Sequence, residues 1–244
     1  MKLTVIGFWG GYPKVNGATS GYLLEEEGFR LLIDCGSGVI SKLQNYISPL
    51  DLDACIISHY HADHIADIGV LQHALIVQKF ITKHNRKIDI YGHPYESYEF
   101  EKLTYKDVTK GIPYEPEKTL HIGPFTVTFL KTIHSVECYA FRIEAGGKTL
   151  VYTADSAYQE AMIDFAKGAD LLLSECNFYA HMDGSKAGHM NSLEAGRIAK
   201  EASVGKLILT HLPHAGNLED LVREAGEIYN GPISLAEEGQ VLII

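Results

Sequence analysis

Four side chains able to bind a metal fall within six residues of this chain: His59, His61, Asp63 and His64, in Ser58-His59-Tyr60-His61-Ala62-Asp63-His64-Ile65. They follow Ala54-Cys55-Ile56-Ile57, an apolar run that reads as the end of a buried strand. Along an extended segment His59 and His61 point to the same side, because side chains alternate with period two. A turn into helix after His61 would carry Asp63 and His64 towards a second position. Imidazole and carboxylate together suit zinc, manganese or iron better than calcium or magnesium. The four cysteines, Cys35, Cys55, Cys138 and Cys176, are widely spaced with no CxxC pair, which argues against a disulfide framework and against thiolate-bound zinc.

His59-x-His61-x-Asp63-His64 resembles the HxHxDH signature of the metallo-β-lactamase superfamily, and that family's later ligands have counterparts in order. His134 in Thr132-Ile133-His134-Ser135, Asp155 in Tyr152-Thr153-Ala154-Asp155 and His211 in Leu209-Thr210-His211 each follow a strand-like run. The resemblance implies one metal on His59, His61 and His134, a second on Asp63, His64 and His211, and Asp155 bridging the two. A bridging carboxylate has its own logic. Cations about 3.5–4 Å apart repel, an anion between them offsets that repulsion, and a water shared by them becomes a nucleophile near neutral pH. The diiron flavoprotein branch typically carries glutamate at the position of His61, so the resemblance implies two redox-inert Zn2+ ions, with Mn2+ or Fe as the other candidates. Asp155 sets the chain apart from true β-lactamases, which mostly lack it. That leaves thioesterases, lactonases and phosphodiesterases.

Ser174-Glu175-Cys176-Asn177 and Gly188-His189-Met190-Asn191-Ser192 are similar to the glutamate and His-Ser-Thr motifs of the ribonuclease Z branch, and the match continues from Glu194 to His211. His189 precedes a helix start, where amide donors favour a phosphate. Glu175 could orient it and keep it protonated as an acid. Two departures matter: His-Met-Asn-Ser replaces His-Ser-Thr, and only twenty residues separate His134 from Asp155. The arm with which ribonuclease Z grips tRNA has no room in that interval. Tyr158, three residues after Asp155, has a spacing similar to the tyrosine that lactonases place near the carbonyl oxygen; packing at a helix start is the alternative. Of the remaining histidines (His73, His84, His93, His121, His181 and His214), only His181 and His214 fall near possible site loops.

These groups need a scaffold. Strands are expected at Lys2–Ile6, Gly21–Glu25, Phe29–Asp34, Asp53–Ser58 and Ile88–Tyr91, then at Thr119–Ile122, Phe125–Lys131, Cys138–Glu144, Thr149–Thr153, Leu171–Ser174 and Lys206–Thr210, with two more closing the chain. Helical spacing marks a segment from Val39 to Ile47, Leu71–Lys83, Tyr95–Leu103, Tyr158–Lys167, Asn191–Ala202 and Leu218–Tyr229. Asn191 with Glu194 reads as a capping box. Helices recur beside strands in both halves, the pattern of an α/β (α+β) protein. The family resemblance specifies a four-layer αββα sandwich, expected as one domain over residues 1–244.

Charge narrows the partners. Asp and Glu outnumber Lys and Arg by 31 to 21, a formal net charge of −10, which disfavours long nucleic acid because such binding rests on phosphate neutralisation. A Lys102, Lys106, Lys110 stripe would form if that segment were helical, and a homodimer could extend it. The N-terminus reads as a strand rather than a signal peptide and the apolar runs are strand-length, so a cytoplasmic protein with no membrane partner is expected. The reading that follows is a dinuclear phosphodiesterase for small phosphodiesters such as cyclic nucleotides or short oligonucleotides. Its catalytic residues are His189, Glu175 and Asp63, the last as a proton acceptor. The alternatives are a lactonase or other carboxyl-ester hydrolase, a tRNA 3′-processing endoribonuclease, and a non-catalytic metal-containing binding module.

Overall fold

The computed structural model describes residues 1–82 and 86–244; Lys83, the expected end of one helix, and His84 lie outside them. One sheet contains β1 (Lys2–Gly7), β2 (Gly21–Glu26), β3 (Phe29–Ile33), β4 (Ala54–Ile56), β5 (Ile88–Gly92) and β6 (Thr109–Pro113), with β14 (Val241–Ile243) added beside β1. The other holds β7 (Leu120–Ile122), β8 (Phe125–Lys131), β9 (Tyr139–Ala145), β10 (Lys148–Tyr152), β11 (Leu171–Glu175), β12 (Leu207–Thr210) and β13 (Ile233–Leu235). Each sheet is antiparallel on one side and parallel on the other: β3-β4-β5-β6 run parallel in the first, and β10-β11-β12-β13 in the second.

The helices are α1 (Val39–Leu43), α2 (Ala62–Ile65), α3 (Ile68–Thr82), α4 (Ser97–Glu101), α5 (Ala161–Phe165), α6 (Ser192–Glu201) and α7 (Leu218–Gly226). Leu3, Val5, Tyr22 and Ile33 of the first sheet meet Phe125, Val127, Phe141 and Leu150 of the second in a shared core. The outer face of the first sheet packs on α1 and α3 through Leu23, Leu32, Cys55, Val39, Leu71 and Leu75. The second packs on α5, α6 and α7 through Leu172, Leu207, Leu209, Met162, Ile198 and Leu221. This is the expected αββα sandwich. Strands β4, β11 and β12 are buried along their whole length, which is why they read as unbroken apolar runs rather than alternating ones.

The differences from sequence are local. Strand β6 escaped notice because Gly111 and Pro113 break the β pattern, and Pro is tolerated there because β6 is an edge strand. Helix α4 ends at Glu101, Lys106 has a left-handed φ of 46° and Lys110 lies in β6, so the three lysines do not form a helical stripe. Lys102 pairs instead with Glu99 at 2.7 Å. Helix α5 is shorter than expected and begins after Tyr158. The α2–α3 run, Ala62–Thr82, is long and apolar enough by composition to cross a membrane, with mean hydropathy 1.2. Its first turn, however, carries Asp63 and His64 into the interior. All four cysteines are buried free thiols, as expected for Cys35, Cys55 and Cys138.

Candidate metal centre

Five of the strands in the parallel halves end beside one another, and the chain beyond each carries a polar group: Asp34 after β3, Ser58 and His59 after β4, Asp155 after β10, Glu175 at the end of β11 and His211 after β12. This is the place where open α/β sheets form their crevices. Asp34, Ala154 and His211 leave their strands through left-handed backbone, with φ of 55°, 50° and 51°. Such conformations cost non-glycine residues free energy and cluster at functional sites.

Two overlapping groups result. The ligand atoms of His59, His61, His134 and Asp155 lie within 4.8 Å of one another, as do those of Asp63, His64, Asp155 and His211. Asp155 therefore belongs to both, the position expected of a bridge. Helix α2 begins at Ala62 and turns Asp63 and His64 inward, which is how one six-residue stretch serves both groups. His61 Nδ1 stands 3.2 Å from His59 Nε2 and 3.0 Å from His134 Nε2. In the second group His211 Nε2 is 3.0 Å from Asp63 Oδ2, and His64 Nε2 is 3.4 Å from Asp155 Oδ1.

The surrounding hydrogen bonds fix which nitrogen each ring presents. Asp34, fully buried, accepts from Ser58 N at 2.8 Å, Ser58 Oγ at 2.9 Å, Tyr152 OH at 2.9 Å and His64 Nδ1 at 2.8 Å. His59 Nδ1 then donates to Ser58 Oγ at 3.0 Å. His134 Nδ1 donates to the Gly188 carbonyl at 3.0 Å. Gly188 has φ +78°, and a Cβ there would stand 2.7 Å from His134 Nδ1, so only glycine brings that carbonyl so close. With the outer nitrogens donating, His59 Nε2 and His134 Nε2 both turn lone pairs towards His61 Nδ1, which carries at most one proton for the two of them. His64 Nε2 and Asp155 Oδ1 are buried with no hydrogen-bond partner. Such orphaned atoms are costly unless a cation satisfies them. The residues fit a metal centre.

Electrostatics agree at the first group. In the second, burial works against the charged form of His64, but Asp155 and Asp34 outweigh it and hold it well above the ordinary histidine range, so a metal there must displace a proton. Burial, with His64 nearby, pushes His59 well below the ordinary histidine range, and burial lowers His134. Burial alone would raise the Asp155 carboxyl, but His211 and His64 outweigh it and hold it well below the usual range. Neutral His59 and His134 beside an ionised aspartate are the protonation states metal binding requires.

Beside the two groups stands a third pair. His189 Nδ1 donates to Glu175 Oε1 at 3.0 Å, and the His189 ring lies 5.2 Å from the rings of both His134 and His211. Burial works against the charged form of His189, yet the Glu175 hydrogen bond and charge outweigh it and push the pKa up to about 9. Glu175 also accepts from Ser156 N at 2.9 Å, so one carboxylate braces both the Asp155 loop and His189. The expected capping box opens α6: Asn191 accepts from Glu194 N at 3.0 Å and Glu194 from Asn191 N at 2.9 Å. Those two amides are thereby satisfied internally, which removes them as phosphate donors.

Of the candidate ligands, His61, Asp63, Asp155 and His211 open onto a cleft of about 500 Å³ that also reaches His189, Phe178 and His214. A larger groove of about 610 Å³, between α3 and α4, contains none of the seven ligands. Tyr158 does not line the cleft; its ring packs under the Arg197 guanidinium at 5.2 Å, the packing alternative. His214 lines the cleft, while His181 does not and lies beside Tyr179. Asp34 and Asn177, whose amide donates to the His211 carbonyl at 2.9 Å, were missed from sequence. Asp34 offered one signal, an acid ending a strand before Cys35-Gly36-Ser37-Gly38.

Comparison with known proteins supports the same conclusion. Residues 29–212 match the β-lactamase superfamily domain. The probable metallo-hydrolase YhfI of Bacillus subtilis is 58% identical over 241 residues, covering 99% of each chain. The crystal structure of YhfI superposes with a TM-score of 0.98 over 99% of this chain and 98% of that one, at 57% identity. The ribonuclease Z of Metallosphaera sedula is 25% identical across 98% of this chain and 97% of its own. Human tRNase Z, short form, shares the fold at a TM-score of 0.77 and 21% identity, covering 100% and 99%. With the converged histidines and aspartates, these likenesses make the chain a metallo-hydrolase-type member of the β-lactamase superfamily, related to the ribonuclease Z branch.

Proposed function

We propose that this chain is a dinuclear, zinc-dependent phosphodiesterase acting on small phosphodiesters, with His59, His61 and His134 holding one ion, Asp63, His64 and His211 the other, and Asp155 between them. All-histidine and carboxylate donors favour zinc, with manganese or iron as substitutes. When bound, two divalent cations polarise a phosphoryl oxygen and make water acidic near neutral pH. The observation that carries the reading is the Glu175–His189 pair, at 3.0 Å and set against ligands of both groups. An alkoxide leaving a phosphodiester is a strong base and needs a proton from such an acid. Glu175 holds the Nδ1 proton, orients the ring and stabilises its charge, and His189 delivers the Nε2 proton to the departing oxygen. Asp63 lines the cleft and can accept a proton, but His211 and His64 overcome the effect of burial and hold its carboxyl low, so it serves first as a ligand.

Relatives named ribonuclease Z support phosphodiester chemistry, but Gly146 and Gly147 close the β9–β10 hairpin directly, leaving no arm between His134 and Asp155. Tyr158, which would favour a lactonase, is outside the cleft. The test is hydrolysis of bis-p-nitrophenyl phosphate against a panel of lactones by zinc-loaded protein. Faster turnover of the phosphodiester supports the reading, and faster turnover of any lactone overturns it.

A further inference from the structure

Residues Gly10 to Lys14 form a loop whose position the metal centre dictates. Gly11 N donates to Asp63 Oδ2 at 2.8 Å, and Gly10 N donates to the Leu212 carbonyl at 3.2 Å. A Cβ on Gly10 would stand 2.4 Å from Asn177 Nδ2 and 2.8 Å from His211 Cε1, so the glycine lets this backbone run against a ligand. The next side chain is Tyr12. Its ring lies flat on that of His214, with centroids 3.7 Å apart and planes within 6°. His214 in turn stacks over Trp9 at 5.4 Å, and its Nε2 donates to the Gly10 carbonyl at 3.0 Å. Trp9 is buried and Tyr12 is 62% exposed. The three rings form a column, rooted in the core and ending at the mouth of the cleft, where Tyr12 and His214 both line the wall.

Folding does not account for Tyr12. An exposed tyrosine contributes little to the core, yet this one is fixed by a glycine-rich loop tied through Gly11 to Asp63, itself one of the metal-binding group. The cleft's volume, about 500 Å³, suits a ligand of nucleotide size. Among the residues lining it, Phe178 and Met182 supply further apolar surface. The chain carries a net charge of −10, so a substrate is not held by general attraction to its phosphate alone. A flat aromatic face beside a phosphate-reactive centre recognises a heterocyclic base by stacking, without regard to its identity.

We propose that the Tyr12–His214–Trp9 column is a nucleobase subsite, on which the base of a nucleotide substrate stacks while its phosphoester faces His189. This rests on the phosphodiesterase reading and adds to it: the substrates are nucleotides rather than simple phosphodiesters, and Tyr12 sets that preference. His214 acts through Tyr12 as a positioning residue.

The experiment is calorimetric binding of adenosine 5′-monophosphate and ribose 5-phosphate to zinc-loaded protein, so that no turnover is needed. The two ligands share the phosphate and the sugar and differ at C1, where ribose 5-phosphate has a hydroxyl in place of the base. Adenosine monophosphate is expected to bind about tenfold more tightly, Tyr12→Ala should collapse that ratio towards one, and Tyr12→Phe should keep it. Quenching of Trp9, the sole tryptophan, by adenosine monophosphate but not by ribose 5-phosphate would support the same placement. Equal affinities in the wild type, or a ratio unchanged in Tyr12→Ala, overturns the subsite. The phosphodiesterase reading is judged separately: a protein that hydrolyses no phosphodiester but shows the Tyr12-dependent ratio loses that reading and keeps the subsite.

Discussion

At the scale of single residues, the side chains proposed to hold metal differ in role from those proposed to orient or donate. His189→Ala should leave the metal content unchanged and lower phosphodiester turnover on the order of a hundredfold, with part of the rate recovered by a better leaving group. Metal loss in that variant would show His189 to be a ligand. Its pKa, raised to about 9 chiefly because Glu175 outweighs burial, sets the pH behaviour. A raised value means the acid is protonated below about 9 and loses its proton above it, so kcat/KM should fall on the alkaline side. Glu175→Gln removes the anion that raises the value, so the fall should move to lower pH; a limb that stays in place would separate the pair from catalysis. Asp34 is the residue that sequence concealed. A lone aspartate before Cys35 has no spacing partner, and only folding brings Ser58, His64 and Tyr152 around it. Asp34→Asn should weaken zinc binding about 10- to 100-fold, read by competition with a chromophoric chelator. Unchanged affinity would reduce Asp34 to a structural group.

At the scale of elements, legibility followed burial and periodicity. The ligands could be found because each follows an apolar strand run, and a strand buried on both faces is conspicuous in sequence. The α2 turn could be anticipated only as a condition, since His61 to Ile65 carries no apolar period of its own. Strand β6 and the broken lysine stripe were illegible for a common reason: Gly111 and Pro113 hide an edge strand whose pairing with β5 is a long-range fact. The capping box of α6 was legible because its two halves, Asn191 and Glu194, lie three positions apart in sequence. Asn191→Ala should cost about 1 kcal/mol of stability, measured by denaturant unfolding. Because the cap follows His189 closely, turnover should fall more than metal content; a loss of metal instead would mean that the α6 start supports the ligands rather than the acid.

At the scale of the whole molecule, two half-parallel sheets place five strand ends around one crevice, and the seven candidate ligands, drawn from residues 59 to 211, meet there. The resemblance that sequence revealed covers that entire span, so the fold and the set of side chains that converge were readable together. What sequence could not provide was the aromatic column, because His214 meets Trp9 and Tyr12 only once the chain has folded. The short β9–β10 hairpin and acidic balance lead to an expectation about substrate size. Remote contacts supply the binding energy that orients a large substrate, and here no arm provides them. Specificity constants at moderate salt should favour a cyclic mononucleotide over precursor tRNA; a tenfold advantage for the tRNA, about 1.4 kcal/mol in transition-state binding, would refute the argument. The central claim is that two ions on these seven residues make a phosphodiesterase. Its most direct test adds zinc stepwise to metal-free protein while following hydrolysis of bis-p-nitrophenyl phosphate. Activity should rise and level off at about two equivalents per chain. Full activity at one equivalent, or none at any loading, would contradict it.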